Sequence, residues 1–311
     1  MKKRVVIGTR GSALALWQAE HVQRVLKRAH RRLEVELHII KTKGDKILDQ
    51  SLSKIGDKGL FTREIEHALL DGRVDIAVHS LKDLPTETPA GLRVAAITER
   101  EVVNDVLISR TARSLAELRE GAVVATGSLR RTAQLLHLRP DLRIVDIRGN
   151  LNTRMEKFDG ADWDGMLLAY AGVKRLGWEH RIAPGIPTTH LLPAVGQGAL
   201  GVEIRDGDDD TAAVVACLQH AETAAAAVAE RALLRTLEGG CQIPIGAWAR
   251  MDGGRLLLDA MVASIDGTIR LDTRGTTKDL AKAEALGVRV ANKLLANGAR
   301  DILDAIRGGT A

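Results

Sequence analysis

The sequence predicts an α/β fold: two α/β stretches of roughly a hundred residues each, followed by a small C-terminal α+β domain. Three observations predict it. Short apolar runs alternate with helix-like segments from Val5 to Ile97. The alternation restarts near Asn104 and continues to Leu176. The last third then changes character, to one long Ala-rich segment and a set of short runs separated by Asp-Gly turns. Alternating β and α units imply parallel or mixed sheets with helices on both faces.

Taken in order, Val5–Gly8 is an apolar run that ends at a turn. Ser12 opens a helical pattern through Ala13–Trp17, Val22, Val25 and Leu26, running to His30. Leu33–Ile40 alternates as a strand. Phe61–Leu70 reads as a helix closed by Asp71-Gly72, and Val74–Val78 and Leu92–Ile97 read as strands. In the second stretch, Val106–Ile108, Ala122–Ala125, Leu142–Ile147 and Met166–Ala169 are strands. Ser128–Leu138, Asn152–Lys157 and Ala171–Leu176 are its helices. Ala221–Leu237 is a long helix, with Gly239-Gly240 as its C-cap. Ile243–Arg250, Arg255–Ala263 and Thr268–Thr273 are strands joined by hairpin turns at Asp252-Gly253-Gly254 and Asp266-Gly267. A helix from Leu280 to Ala296 packs last.

A length of 311 residues suits two or three domains, each with its own core. Hydrophobic content of 45% with 27% charged residues excludes a disordered, collagen-like or acidic-tail protein. No run approaches the roughly 18 apolar residues of a membrane span. The start, Met1–Arg10, imitates a signal n-region, but Gly8 and Arg10 break its apolar run, so the chain reads as cytoplasmic. Cys217 and Cys241 are too few for a disulfide framework or a four-thiolate site, and the nine His lack HxxxH spacing, so no metal is expected. Cys217, within Ala-Val-Val-Ala-Cys-Leu, reads as a packed core residue. Seven aromatic residues are too few to supply the stacking faces of a single-strand nucleic-acid grip.

Arg outnumbers Lys 31 to 14, and the basic excess is local. Residues 1–63 carry 15 basic and 6 acidic residues; residues 126–154 carry six Arg, no Lys and two Asp. The net charge of the whole is only +5, so the remainder is acidic. Arg presents a planar fork of donors that fits carboxylate and phosphate. The second cluster therefore looks built for a ligand with several carboxylates or phosphates.

In open α/β sheets, ligands bind at the carboxyl ends of strands, near helix N-termini. Four polar segments fall there: Thr9–Ser12, His79–Asp83, Thr126–Arg131 and Arg148–Arg154. Ser12 and Ser128 sit at N-cap positions, where a hydroxyl satisfies free helix amides or meets a ligand. Arg130 and Arg131 at a helix start are either a solvated first turn or, because positive charge there opposes the helix dipole, the sign of an anion nearby, which is the favoured reading. Asp83, after Lys82 and before Pro85, is either a salt-bridged loop residue or a proton donor facing a cleft. Lys41–Phe61, with three Gly and five Lys, is a long basic loop or a lid over an anionic ligand. Cys241, between glycines and Gln242, is an accessible loop cysteine suited to nucleophilic attack or attachment.

Together these segments resemble the porphobilinogen deaminase (hydroxymethylbilane synthase) family. The matching strings are Thr-Arg-Gly-Ser-Ala-Leu-Ala-Leu-Trp-Gln-Ala (9–19), Lys-Gly-Leu-Phe (58–61), Asp-Ile-Ala-Val-His-Ser-Leu-Lys-Asp-Leu-Pro (75–85), Gly-Ser-Leu-Arg-Arg (127–131), Arg-Gly-Asn-Leu-Asn-Thr-Arg (148–154), Leu-Pro-Ala-Val-Gly-Gln-Gly-Ala (192–199) and Leu-Glu-Gly-Gly-Cys-Gln-Ile-Pro-Ile-Gly (237–246). They occur in the family's order over essentially the whole chain.

The resemblance implies two periplasmic-binding-protein-like α/β domains, 1–98 with 199–216 and 104–192, and a small α+β domain, 221–311. It implies head-to-tail condensation of four porphobilinogen molecules, with loss of ammonia, to hydroxymethylbilane. It implies a dipyrromethane cofactor held by a thioether to Cys241. Asp83 matches the catalytic acid. Lys82, Asp83, Thr126, Ser128, Arg130 and Arg131 match cofactor-binding positions. Arg10, Ser12, Phe61, Arg148, Arg154, Arg175 and Gln197 match substrate-binding positions, and Lys54 and Lys58 lie on the matching lid. Similar proteins are monomers. Two residues depart from the pattern: Gly127 stands where a Ser is expected, and Asp57 where a Gly is expected. The competing expectation is a non-catalytic two-lobed binder of a small polyanion, which leaves Cys241 unexplained.

Overall fold

The computed structural model describes residues 2–46, 62–238 and 243–309. They fall into two compact units: 2–46, 62–101 and 198–224 in the first, and 102–197, 225–238 and 243–309 in the second.

The first unit is built on five strands: β1 Arg4–Thr9, β2 Glu34–Ile39, β3 Ile76–Ser80, β4 Leu92–Ile97 and, far along the chain, β9 Leu200–Arg205. The sheet order is β2-β1-β3-β9-β4. β1 runs parallel to β2 and β3, and β9 runs antiparallel to β3 and β4. Every second residue faces one side of a strand. Val5, Ile7, Ile76, Val78, Val202 and Ile204 therefore pack together against Ala19, Val22 and Leu26 of α1, Ala13–Ala29. On the other face Ala77 and Leu92 meet Ile65, Ala68 and Leu69 of α2, Arg63–Leu70. Helices on both faces explain why these strands read as nearly continuous apolar runs.

The second unit contains two sheets. One holds β5 Asp105–Ile108, β6 Val123–Ala125, β7 Arg143–Val145 and β8 Gly165–Ala169, in the order β5-β8-β6-β7. β6 is parallel to β7 and β8, while β5 is antiparallel to β8. Its helices are α3 Leu129–Leu138, α4 Leu151–Asp159 and α5 Tyr170–Arg175. The other sheet is an antiparallel meander of β10 Ile245–Asp252, β11 Arg255–Ala263 and β12 Arg270–Thr277. Its inner residues Ala247, Leu256, Leu258 and Val262 share a core with Leu233, Leu286 and Val290 of the helices that cover it.

Several elements differ from the expectation. β9 and the helix α6, Asp209–Val215, were not assigned by alternation along the chain. β9 is interrupted by Gly201 and Glu203, so its apolar run is hidden. The Ala-rich helix, α7, spans Ala221–Thr236, and its expected glycine C-cap at 239–240 lies outside the described residues. β12 extends to Thr277 because it pairs with Leu256–Ala263 of β11, polar side chains notwithstanding. The final helix is two: α8 Ala283–Leu294 and α9 Arg300–Arg307, separated by a π turn in which Gly298 has φ 101°. Asn297-Gly298 is a helix stop, but Ile302 and Leu303 beyond it still bury in the same core, so helix resumes.

Cys217 is corrected too: it is exposed, not packed. Val214, Val215 and Leu218 take the inward face of that segment, and helical phase turns Cys217 away from them.

Candidate active site

Parallel pairing of β1 and β3 brings their carboxyl ends side by side. The Thr9–Ser12 turn and the Ser80–Asp83 turn thus share one edge of the first sheet, and Gln18 Nε2 of α1 donates to Ser80 Oγ at 2.8 Å. Ser12 caps α1, accepting from Ala15 N at 3.4 Å, so its hydroxyl serves the helix. Arg10 beside it is half-buried.

Leu81–Asp83 is a single 3-10 turn. Leu81 and Leu84 are buried, Lys82 is half-buried and Asp83 is exposed. The turn is pinned twice, by its two leucines and by the Leu81 amide, which donates to Ala199 O at 3.0 Å. Gly201 of β9 makes the leucine seat possible, since a Cβ there would lie 2.8 Å from Leu84 Cδ1 and 3.2 Å from Leu81 Cδ1. A strand-end carboxylate held out to solvent by buried neighbours is placed to exchange protons with a ligand.

In the second unit β6, β7 and β8 all end at one edge, so Thr126–Arg131 and Arg148–Arg154 belong to the same side of that sheet, while Arg175 is the last residue of α5, the helix that follows β8. Because β5 is antiparallel, its first residue, Asp105, reaches this edge as well, opposite Ala169. Asp105 is fully buried and Arg130 and Arg131 are 6% and 5% exposed. Asp105 Oδ2 accepts from Arg130 Nη1 at 2.9 Å. Its Oδ1 accepts from Arg131 Nη2 at 2.7 Å and from Gln197 Nε2 at 2.9 Å. Burial works to raise the Asp105 carboxyl, but the two guanidiniums override it and hold it far below the usual carboxylate range. The anion demanded by two arginines at a helix start is thus supplied in part from within.

Backbone acceptors complete the cradle. Arg130 Nη1 also donates to Leu192 O at 2.6 Å and Arg131 Nη1 to Leu167 O at 3.1 Å. Gln134 reads both Leu192 N and O and so fixes that carbonyl. Arg131 Nε is buried without a hydrogen-bond partner. Ser128 precedes α3 but makes no side-chain cap, unlike Ser12. Thr126 Oγ1 accepts from Ser128 N at 3.3 Å, a local turn bond. Gln197 Nε2 is also held by Val103 O at 2.7 Å, so this amide nitrogen serves the protein interior.

The Arg148–Arg154 turn is more open. Arg148 Nε meets Asp146 Oδ2 at 3.0 Å, Arg154 Nε meets Gly149 O at 2.8 Å, and Asn150 caps α4 through Thr153 N at 3.0 Å. Cys241, Phe61, Lys54, Lys58 and Asp57 lie outside the described residues. Sequence reasoning found the arginines and missed Asp105 and Gln134. Asp105 carried one signal, a lone carboxylate opening an otherwise apolar strand.

A family model described as porphobilinogen deaminase, dipyromethane cofactor binding domain, matches residues 5–213, and that family's C-terminal domain matches residues 224–296. The chain belongs to the porphobilinogen deaminase family. Relatives carrying that name include those of Chloroherpeton thalassium, 54% identical, and of Chlorobium phaeobacteroides, 53% identical, each over 99% of both chains. Among solved structures, the methionine binding protein MetQ aligns over 70% of this chain and 88% of its own, with 16% identity and a TM-score of 0.43, a likeness too slight to add to the topology above. A porphobilinogen deaminase works with a dipyrromethane cofactor, and the Arg130–Arg131 edge falls inside the matched cofactor domain.

Proposed function

We propose that this chain condenses four porphobilinogen molecules onto a dipyrromethane attached to Cys241, releasing ammonia and then hydroxymethylbilane. The activity, a transferase of tetrapyrrole and haem biosynthesis, is that of the family. The roles below are our reading of the residues. Three functional domains fit it: 1–98 with 199–216, 104–192 and 221–311.

The residues present fit a dipyrromethane. Arg131 Nε is a buried donor without an acceptor, and the Ser128 hydroxyl caps no amide. Arg130, Arg131, Ser128, Thr126 and Lys82 would hold its carboxylates, and bound there it supplies a covalent primer on which the pyrrole chain is extended. Arg10, Ser12, Arg148, Arg154 and Arg175 bind the acetate and propionate groups of incoming porphobilinogen through charge-assisted bonds. Gln197 supports from behind, through Asp105. Phe61 is read as a further substrate-binding residue.

The observation that carries the chemical assignment is the pinned turn at Leu81–Leu84. It keeps the Asp83 carboxylate exposed and fixed in place. Asp83 gives a proton to the departing amine, and its carboxylate stabilises the positive charge that develops on the pyrrole.

No single helix among the described residues is long and apolar enough to cross a membrane. A monomer working in the cytoplasm is the setting this reading takes. The deciding experiment is intact mass. Protein from cells able to make the primer shows an excess matching a dipyrromethane, and Cys241→Ser removes it. An unmodified wild-type mass would overturn the assignment.

A further inference from the structure

The Arg130–Arg131 cradle has an uneven charge balance. Two guanidiniums and one carboxylate meet where all three side chains are nine-tenths or more buried. The group carries one net positive charge. Buried charge is costly unless paired and hydrogen-bonded. Asp105 accepts three bonds with its two oxygens, from Arg130, Arg131 and Gln197, and so orients both forks. Arg131 Nε nevertheless lacks an acceptor. The unmatched charge and the unmatched donor coincide on the same side chains.

Alternative sources for the missing anion are limited. Asp141 belongs to Arg139, through bonds of 2.7 Å to both its oxygens. Asp146 belongs to Arg148. Asp164 bonds Arg119 and the Val123 amide. Glu230, also buried, accepts from the Gly196 and Ala249 amides. None of these four described carboxylates balances the pair, and a ligand carboxylate would.

We propose that Asp105 is a positioning residue that leaves Arg130 and Arg131 with a single positive charge, so that the pair takes one carboxylate of the pyrrole chain and not two. The proposal rests on the reading that the pair binds a carboxylate at all. Without Asp105 the same pair would carry two charges, accept two anions and lose the orientation of its forks. With it, the pair is selective for one carboxylate in one place, and other carboxylates pass to Arg148 and Arg154.

The test is a charge-balance rescue in the full-length protein, read by the fraction carrying the dipyrromethane mass and by the KM for porphobilinogen. Arg131→Met leaves Asp105 matched by Arg130 alone; it folds, but the loaded fraction falls and KM rises at least about tenfold. Asp105→Asn leaves two buried positive charges. It loads poorly, and its KM rises more steeply with added chloride than that of the wild type. Adding Arg131→Met to Asp105→Asn restores one net charge, and the double variant loads at least about threefold better than Asp105→Asn. If Asp105→Asn does not fold, recovery of folding in the double variant replaces that comparison, and chloride dependence of KM in Asp105→Glu replaces the salt reading. Loss in the double variant equal to the sum of the two singles, or a chloride dependence unchanged from wild type, overturns the proposal. Normal loading and KM in Arg131→Met would instead remove the carboxylate-binding reading beneath it.

Discussion

His79 Nε2 lies 3.4 Å from Glu203 Oε2, in the core of the first unit. The two residues are diagonal neighbours on β3 and β9, since His79 pairs with Gly201 and Ala77 with Glu203. Glu66 of α2 is buried on the same face and feels the charge of both. Glu66 Oε1, His79 Nε2 and Glu203 Oε2 are all buried without hydrogen-bond partners. This polar cluster lies one residue before Ser80, under the turn that carries Asp83. Poorly satisfied buried polar groups store destabilisation, so the strand below the turn is held by packing at some cost in stability.

That cost sets a pH dependence. Burial pushes the Glu66 carboxyl above its ordinary value, helped by Glu203 and opposed by His79 and His67. A carboxyl raised in the folded state favours folding below its unfolded value and loses that contribution as pH rises through the folded value. Glu66→Gln should therefore match wild type near pH 4 and melt a few degrees higher at pH 8. Thermal melts across that range check it; equal melting temperatures at pH 8 would count against a strained Glu66.

Asp83→Asn keeps the shape of the turn, because Leu81, Leu84 and the Ala199 carbonyl fix it and none of them touches the carboxylate charge. The variant should retain the dipyrromethane mass and lose roughly 10²–10⁴-fold in turnover, the usual range for a lost general acid. Steady-state product formation and intact mass on the same sample decide it. Turnover within a few-fold of wild type would take Asp83 out of the chemistry.

Gly127 stands at one of the two positions where the resemblance implies another residue, and the local packing fits a glycine there. A Cβ at 127 would lie 2.6 Å from the Ile147 carbonyl oxygen and 2.9 Å from Asp146 Oδ1. The first of these is backbone and cannot swing aside. Gly127→Ser should cost about 1–3 kcal/mol of stability, as overpacking does, and should not improve primer retention. Chemical denaturation measures the first, intact mass after dialysis the second.

The elements that carry the site were legible because each is local. A strand, a turn with Ser or Arg, and a helix follow one another within about twenty residues, and β1, β3, β6 and β8 were read in this way. What was hidden is pairing across the sheet. Asp105 meets Arg130, Arg131 and Gln197 only because β5 runs antiparallel into an otherwise parallel edge. His79 meets Glu203 only because β9 inserts between β3 and β4. Neither direction nor insertion leaves a mark in a linear pattern. The paired arginines did announce an anion, through their conflict with the helix dipole, but not that part of it was Asp105. Cys217 was misread from its apolar neighbours, where helical phase was the better guide.

Arg130 and Arg148 now separate by what removing each leaves behind. Arg130→Leu strips one partner from Asp105 Oδ2 and from the Leu192 carbonyl, both buried. Arg131 still neutralises Asp105, so the loss is of hydrogen bonds and orientation and not of charge pairing. A cost of about 1–3 kcal/mol follows. Arg148→Leu removes an ion pair to Asp146, whose side chain is 52% exposed. Exposed pairs are worth about 0–1 kcal/mol, so its stability should stay near wild type. Both variants should nonetheless impair primer assembly or elongation if, as proposed, each fork binds a carboxylate. Denaturant midpoints read with product formation separate the two effects. An Arg148→Leu variant as unstable as Arg130→Leu, or one with unaffected product formation, would contradict the division between a buried cradle and an open binding turn.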